Sequence, residues 1–277
     1  MESPVKLAAA GKTAARPPRR WGLIILFVVI ALGGVYLQQL LRPVPDIEEF
    51  TYEVIAEHPH DPTSFTQGLL LAGGYVWEST GKYGESKLRK VELETGKVVQ
   101  EIALDDQYFA EGIAMIQGRI YQLTWKEKKC FVYDLDFNRI REIDYEGQGW
   151  GLTTDGVELI LSDGTSQIRF LDPETMKTNR VIDVRRGHRR IAALNELEYS
   201  GGWIYANQWG TDYIYKIDPR DGQVVARIDL TGIWPARDRP EEGLLNGIAV
   251  DPKAKKIIVT GKYCPKIFEV RFSPRAD

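Results

Sequence analysis

Along most of the chain, apolar and polar residues alternate in short runs separated by turn dipeptides such as Thr95-Gly96 and Asp218-Pro219. Runs of about four to eight residues with this alternation are typical of half-buried β-strands. The pattern begins near Phe50 and continues almost to the end of the chain. One stretch, Trp21 to Leu41, does not alternate: it has no charged residue and is apolar except for Gln38 and Gln39. We therefore predict an all-β domain preceded by one apolar segment.

A short signature recurs five times in the alternating region, at intervals of 44, 39, 45 and 51 residues. The copies are Gln67-Gly68-Leu69, Glu111-Gly112-Ile113, Trp150-Gly151-Leu152, Asn195-Glu196-Leu197 and Asn246-Gly247-Ile248. In every copy a second strand ends near position +14 and a third strand follows. Four copies add a fourth strand, which the last copy lacks. Fixed-period self-similarity of this length is typical of repeat architectures, in which each unit is one small sheet.

Units of 40 to 50 residues with four strands are typical of β-propeller blades, and ring closure removes exposed sheet edges. The missing fourth strand of the last copy is predicted at the other end of the chain, where Phe50 to Glu57 alternates and precedes the first signature. The fold class expected is thus an all-β, five-bladed β-propeller whose N-terminal strand closes the last blade. An open β-sandwich does not predict five copies with a shared internal offset.

The apolar stretch predicts a membrane anchor. At about 1.5 Å per residue, Trp21 to Leu41 just spans a hydrocarbon core of about 30 Å, and five basic residues precede it. We expect a basic cytoplasmic tail (1–20), a transmembrane helix (21–41), a linker (42–49) and a five-bladed propeller domain (50–277). This topology is a single pass through the inner membrane with the propeller domain in the periplasm. The alternative is a cleaved signal peptide, but no small-residue cleavage site follows the apolar run.

The net charge of the domain argues against one class of partner, and the cysteine content leaves two states open. Residues 46–277 carry 30 Lys and Arg against 38 Asp and Glu, a net charge of −8. A domain of this sign is not suited to the phosphate backbone, so no nucleic-acid partner is expected. The two cysteines, Cys130 and Cys264, permit one disulfide in an oxidising compartment, and two free buried thiols are an equal alternative.

The repeat geometry places chemically useful residues at one rim. Because the second strand returns antiparallel to the first, position +14 lies beside the signature. This puts Glu111 beside Trp125 and Asn195 beside Trp209, with Lys262 on the same face. The residues collected there are one carboxylate, one ammonium, three indoles and several amides: Glu111, Lys262, Trp125, Trp150, Trp209, Gln67, Asn195 and Asn246. Taken singly, each could instead be a core indole, a turn cap or a solvated charge.

Other catalytic motifs fail on their spacing. Gly74 to Lys82 does not have the spacing of a phosphate-binding loop, no Gly-x-Ser-x-Gly elbow occurs, and Asp134 to Asn138 lacks the glycine that a calcium loop requires next. The chain has only three histidines: His58 and His60 precede the first signature, and His188 lies in the basic run Arg185 to Arg190. A histidine-based zinc site is not expected.

Eight motifs in order resemble the plant and bacterial glutaminyl cyclases, the glutaminyl-peptide cyclotransferase family. The motifs are His60-Asp-Pro-Thr-Ser-Phe-Thr-Gln-Gly68, Glu78-Ser-Thr-Gly-Lys-Tyr-Gly84, Tyr121-Gln-Leu-Thr-Trp125, Gly149-Trp-Gly-Leu-Thr153, Ser162-Asp-Gly-Thr165, Leu194-Asn-Glu-Leu-Glu198, Leu245-Asn-Gly-Ile-Ala249 and Val259-Thr-Gly-Lys262. The resemblance runs from about Phe50 to Val270. An ordered set of this size is far more specific than any one motif.

The resemblance implies a metal-independent five-bladed propeller that acts on peptides or proteins with N-terminal glutamine. It implies Glu111 as the catalytic carboxylate. From the chemistry of ring closure we expect Glu111 to act as general base and acid, with Lys262 and Asn195 as the other catalytic residues. The implied substrate-binding residues are Phe65, Gln67, Phe109, Trp125, Trp150 and Trp209. No cofactor is expected for catalysis, and the enzyme is expected to be a monomer. Whether a structural calcium ion (Ca²⁺) occupies the central channel is left open.

Two positions depart from the family pattern. Ala110 stands where the family often has Met before the glutamate, and Tyr263-Cys264-Pro265 replaces a more usual Trp-Pro pair. Two other functions stay open on the residues alone. A calcium-dependent, lactonase-like propeller would use Glu111, Asn195 and Asn246 as oxygen ligands. A non-catalytic anchored propeller would bind a protein partner at the same mouth.

Overall fold

The computed structural model describes residues 44–275 and three isolated positions, Ile24, Val28 and Val29. Except for these three residues, the predicted anchor 21–41 lies outside the described residues, as does the predicted basic tail. In the described part of the chain, no helix is both long enough and apolar enough to cross a membrane.

The described domain is built from 22 strands, with a single turn of 3-10 helix at Ala236–Asp238. The strands are β1 (Glu48–Pro59), β2 (Thr66–Ala72), β3 (Tyr75–Thr80), β4 (Lys87–Glu92), β5 (Val98–Ala103), β6 (Ala110–Ile116), β7 (Arg119–Thr124), β8 (Lys129–Tyr133), β9 (Arg139–Asp144), β10 (Leu152–Thr154), β11 (Leu159–Ser162), β12 (Gln167–Leu171), β13 (Thr178–Asp183), β14 (Arg185–Arg186), β15 (Arg189–Arg190), β16 (Leu194–Ser200), β17 (Trp203–Gln208), β18 (Tyr213–Ile217), β19 (Val224–Asp229), β20 (Leu245–Asp251), β21 (Lys256–Gly261) and β22 (Lys266–Pro274). The prediction of an all-β domain is confirmed.

The strands form antiparallel meanders that follow the sequence repeat. Three sheets have four strands each, in the orders β2-β3-β4-β5, β6-β7-β8-β9 and β10-β11-β12-β13. The remaining long strands form an eight-stranded sheet, β16-β17-β18-β19-β1-β22-β21-β20. The small ribbon β14–β15 was not predicted. Each meander begins with the strand that carries or directly follows a signature.

The N-terminal strand completes the last copy of the repeat, as predicted. β1 pairs antiparallel with β22, from Phe50 opposite Pro274 to Pro59 opposite Lys266. The start of β1 also pairs in parallel with β19, where Glu48 lies opposite Ala226. This parallel pairing was not expected, and it joins the fourth and fifth copies into one continuous sheet.

The first strands of the five copies contact one another in a ring. β2 contacts β6 and β20, β10 contacts β6 and β16, and β16 contacts β20. The contacts are so close that a Cβ atom on Gly68, Gly112 or Gly151 would lie nearer than 3.0 Å to the backbone of the next first strand. Glycine therefore recurs in the signature because any side chain would push neighbouring first strands apart.

The fourth copy has Glu196 where the other four have glycine, and its carboxylate joins strands from other copies. The Glu196 carboxylate accepts hydrogen bonds from the backbone N–H groups of Leu69, at 3.4 Å, and Ile248, at 2.8 Å. Burial and the neighbouring Glu198 raise the pKa of Glu196 well above its usual value. In the fourth copy, a buried carboxyl group on β16 thus joins the first strands β2 and β20 by hydrogen bonds.

Apolar residues fill the space between neighbouring sheets. One cluster packs Tyr121 and Leu123 against Leu159 and Leu161, between the second and third copies, and four similar clusters lie between the other neighbouring pairs. Cys130 and Cys264 belong to these clusters and are free, buried thiols. The sequence allowed either one disulfide or two free thiols, and the structure has the two free thiols.

A buried histidine joins the two ends of the domain. His60 follows β1, and its Nε2 lies 3.0 Å from the Glu78 carboxylate on β3, while its Nδ1 lies 2.6 Å from the Cys264 carbonyl oxygen. Burial by itself would lower the pKa of His60, but the charge and hydrogen bond of Glu78 outweigh it, so the pKa is raised. His60 is therefore part of the closure of the ring.

Candidate active site

The signature residues lie at irregularities of the strand ladder. In β2, β6, β16 and β20 the pairing with the next strand shifts at the signature, for example between Ala110 and Ile113. A β-bulge of this kind turns a side chain away from the regular alternation, and bulges recur at rims and active sites. Glu111 and Asn195 lie near the start of β6 and β16, where the residues that follow them belong to the core. The bulge lets both side chains point into one cavity instead.

The predicted neighbour relation between signature and position +14 is confirmed by backbone hydrogen bonds. Trp125 N–H donates to the Phe109 carbonyl at 2.9 Å, and Trp209 N–H donates to the Ala193 carbonyl at 2.8 Å. In the last copy, Lys262 N–H makes the equivalent bond to the Leu244 carbonyl at 2.8 Å. Lys262 thus occupies the same place in its sheet as the two tryptophans do in theirs.

These residues surround one cavity of about 280 Å³. The cavity is lined by Phe65, Gln67, Lys82, Phe109, Glu111, Trp125, Trp150, Asn195, Trp209, Glu242 and Lys262. The structure therefore brings together all nine of the site residues that the resemblance implied. Lys82 and Glu242 were not predicted. The combination of an aromatic wall with a few convergent polar groups is typical of sites that bind small groups.

Glu111 is the buried acidic group of the cavity. Its side chain is only 3% exposed, and its Oε2 atom has no hydrogen-bond partner among the described residues. Burial raises the pKa of Glu111 well above its usual value; Lys262 opposes this shift and Glu127 reinforces it. A carboxyl group whose charged form is disfavoured by burial can both accept and donate a proton in a reaction.

Lys262 is the buried basic group. It is 5% exposed, and its ammonium lies 4.3 Å from the centroid of the Phe65 ring. Burial lowers the pKa of Lys262 to about 8, against the opposing charges of Glu111 and Glu242. Since an ammonium is a strong donor, Lys262 can stabilise negative charge that develops on an oxygen in the cavity.

Two further cavity residues present polar atoms that the protein leaves unpaired. Asn195 Oδ1 and Trp150 Nε1 are buried and have no partner within the described part of the chain. Gln67 Oε1, in contrast, accepts a hydrogen bond from Asn246 Nδ2 at 3.3 Å. Asn246 does not line the cavity, so the ligand set expected for a lactonase-like propeller does not converge there.

The aromatic wall is packed edge to face and depends on two glycines. The ring of Phe109 lies 6.0 Å from Phe65 and 5.6 Å from Trp125 between centroids. A Cβ on Gly81 would overlap the Phe109 ring, and one on Gly164 would overlap the Trp150 ring. Both glycines belong to motifs of the resemblance, and their role is to make room for aromatic rings.

Exposure increases toward the mouth of the cavity. Trp209 is 50% exposed, whereas Trp125 is partly buried and its Nε1 donates to Gln148 Oε1 at 2.8 Å. Of the two departures from the family pattern, Ala110 is fully buried, and Tyr263 packs its ring 5.3 Å from Phe65. Tyr263 therefore supplies an aromatic edge beside Lys262.

Sequence reasoning missed three charged residues that act on the site. Lys82 lies within one of the quoted motifs, which was a usable signal. Glu242 lies in the long connection between β19 and β20 and had no such signal. Glu127 holds the wall, since Tyr83 donates to its Oε1 at 2.8 Å and the Phe109 N–H approaches its Oε2 at 3.5 Å.

No group of three or more His, Cys, Asp and Glu side chains that could hold a metal ion occurs among the described residues.

Comparison with known proteins gives consistent matches. Residues 26–272 match the family model described as glutamine cyclotransferase. The chain is 42% identical over 226 residues to a glutaminyl-peptide cyclotransferase of Arabidopsis thaliana, covering 79% of this chain and 70% of the relative. Its fold is similar to the crystal structure of Myxococcus xanthus glutaminyl cyclase, with a TM-score of 0.78, 36% identity, and coverage of 83% of this chain and 100% of the other.

Proposed function

The chain belongs to the glutamine cyclotransferase family and is an enzyme that converts the N-terminal glutamine of a peptide into pyroglutamate with release of ammonia; within that activity, we propose that Glu111 carries the proton. One observation supports this role above the others: a carboxyl group with a raised pKa and an unpaired oxygen lies in an aromatic cavity. Buried groups with perturbed pKa values in a cavity are characteristic of catalytic acids and bases.

The proposed reaction is an intramolecular acyl transfer. The neutral α-amine of the substrate attacks the carbon of its own side-chain amide, which forms the new C–N bond and a tetrahedral oxyanion. The Glu111 carboxylate takes a proton from the attacking nitrogen and gives it to the amide nitrogen, which leaves as ammonia when the old C–N bond breaks. The same residue serves both steps and ends as it began. Because ring closure is intramolecular, orienting the substrate is a large part of catalysis.

Lys262, Asn195 and Gln67 are proposed to bind the substrate's oxygen and nitrogen atoms. Lys262 donates to the developing oxyanion, which is where preorganised donors lower the barrier most. The unpaired Asn195 Oδ1 accepts from a substrate N–H group. Trp125, Trp150 and the other rings exclude water from the first residue. No step in this scheme requires a metal ion.

The proposed activity is tested by ammonia release from Gln-initiated peptides by the full chain in detergent. We expect one ammonia per peptide, with matching loss of its mass, and the same rate with and without a chelator. The matched control is the same peptide with an acetylated N-terminus, which has no free amine and should release none. Ammonia release that stopped with chelator would contradict the metal-free scheme, and no release from any Gln peptide would contradict the function.

We further propose that the five four-stranded runs are blades of a closed five-bladed propeller. The ring of contacts between first strands and the five interposed apolar clusters support it. A crystal structure with a different number of blades would contradict this proposal.

We also propose that residues 21–41 anchor the enzyme in the inner membrane, with the domain in the periplasm. The uncharged apolar stretch after a basic tail supports this topology. An anchored chain should stay with membranes under alkaline carbonate, and Gln-peptide turnover by intact spheroplasts should be lost on external protease treatment. Release by carbonate would contradict the anchor.

A further inference from the structure

An ion pair lies at the mouth of the active-site cavity and takes no part in the reaction scheme above. Lys82 follows β3, and Glu242 lies in the connection between β19 and β20, yet Lys82 Nζ is 2.7 Å from Glu242 Oε2. Both side chains line the cavity. They are 29% and 56% exposed, whereas Glu111 and Lys262 are almost completely buried. The gradient of exposure places this pair at the solvent end of the cavity.

The mouth pair and the buried site share one aromatic ring. The ammonium of Lys82 lies 4.4 Å from the centroid of Phe65, and that of Lys262 lies 4.3 Å from the same centroid. The two nitrogens are therefore separated by about 9 Å at most, which extended peptide covers in about three residues. The second or third residue of a peptide whose first residue contacts Lys262 is therefore within reach of the pair.

Both residues of the pair have an unusual backbone conformation, which they share with seven other non-glycine residues of the described chain. Lys82 has φ of 98° and Glu242 has φ of 65°, both in the left-handed region that glycine usually occupies. Strained non-glycine residues persist where surrounding structure holds them, and they concentrate at functional sites.

We propose that Lys82 and Glu242 form the subsite for the second residue of the peptide and set its charge preference. An acidic second residue pairs with Lys82, and a basic one pairs with Glu242. Because exposed ion pairs are weak, a substrate charge can exchange with either partner. The two charges balance in the native enzyme, so it accepts both kinds of peptide at similar rates. The inference rests on the proposed function, because it takes the cavity as the place where the first residue binds.

The test compares three peptides, with Glu, Ala or Lys after the N-terminal Gln, on the full chain. The quantity measured is the ratio of kcat/KM for the Glu peptide to that for the Lys peptide. Glu242→Gln should raise this ratio about fivefold and Lys82→Gln should lower it about fivefold, a size typical of exposed charge pairs. The double variant should return near the native ratio. Added salt should shrink both shifts, since it screens exposed charges.

A matched pair of the same residue types provides the control. Lys266 and Glu57 form an ion pair between β22 and β1 and do not line the cavity. Lys266→Gln changes the net charge as Lys82→Gln does, and Glu57→Gln changes it as Glu242→Gln does. Both control variants should leave the ratio unchanged. If the Lys82 and Glu242 variants turn over all three peptides with an unaltered ratio, the subsite is wrong while the proposed function stands. If the native enzyme releases no ammonia from any of the peptides, the function itself is wrong and the subsite with it.

Discussion

Replacing Glu111 by glutamine is expected to lower kcat by about 10²- to 10⁴-fold, the range typical of a lost general acid and base. The substitution keeps the shape of the side chain and removes its ability to accept a proton. Because burial disfavours the charge of Glu111 and its Oε2 has no partner within the described chain, Glu111→Gln should not destabilise the fold. Ammonia release measures the first effect, and thermal unfolding measures the second.

Glu127→Gln is the matched control for this experiment. It removes a second carboxylate near the cavity but leaves the proton carrier in place. Glu127 raises the pKa of Glu111, so the Glu127→Gln substitution should lower that pKa. Turnover falls at low pH because protonated Glu111 cannot accept a proton, and this fall should move to lower pH in the variant. Turnover of Glu111→Gln near the native level, at native stability, would rule out the proposed role of Glu111.

Replacing Lys262 by methionine is expected to lower kcat by about 10²- to 10³-fold, as expected for removal of a preorganised donor to an oxyanion. The pH dependence of kcat gives a sharper readout. Lys262 is an effective donor only when protonated, and burial lowers its pKa to about 8. Protonation is complete well below this value and is lost as the pH rises through it. The kcat of the native enzyme should therefore fall on the alkaline side, as the pH rises through the pKa that Lys262 has with peptide bound.

Lys262→Arg separates this explanation from a structural one. A guanidinium stays protonated throughout the range from about pH 6 to about pH 10, so the fall in kcat at alkaline pH should disappear in this variant. Its maximal rate should be lower, because a planar guanidinium does not fit the place of the compact ammonium. kcat must be measured at saturating peptide, since the free α-amine of the substrate itself titrates near 8. An alkaline limb that persisted unchanged in Lys262→Arg would exclude Lys262 as its source.

The strand organisation was predictable because it depends on local patterns. Alternation defines each strand, and the signature repeats at every first strand, with glycine in four of the five copies. The closing role of β1 also followed, because four copies had a fourth strand and one did not. The parallel pairing of β1 with β19 was not predictable, since no residue pattern distinguishes it from a free edge.

The cavity lining was predictable to the extent that it is tied to the repeat. Glu111, Asn195 and Trp125 stand at fixed offsets in their copies, and the structure places them in one cavity. Their catalytic and binding roles stay predictions. Glu242 was missed because the connection before β20 has no counterpart in the other copies, and 160 positions separate it from Lys82.

The sequence by itself determined the repeated strands, the close-packed glycines and the set of chemical groups at one rim, because these depend on residues near one another in the chain. Only the tertiary structure decided the protonation behaviour of Glu111 and Lys262 and the pairing of Lys82 with Glu242. A pKa shift depends on how completely the surrounding side chains exclude water, and an ion pair depends on distance in space. Both are set when residues from several copies of the repeat meet around the cavity.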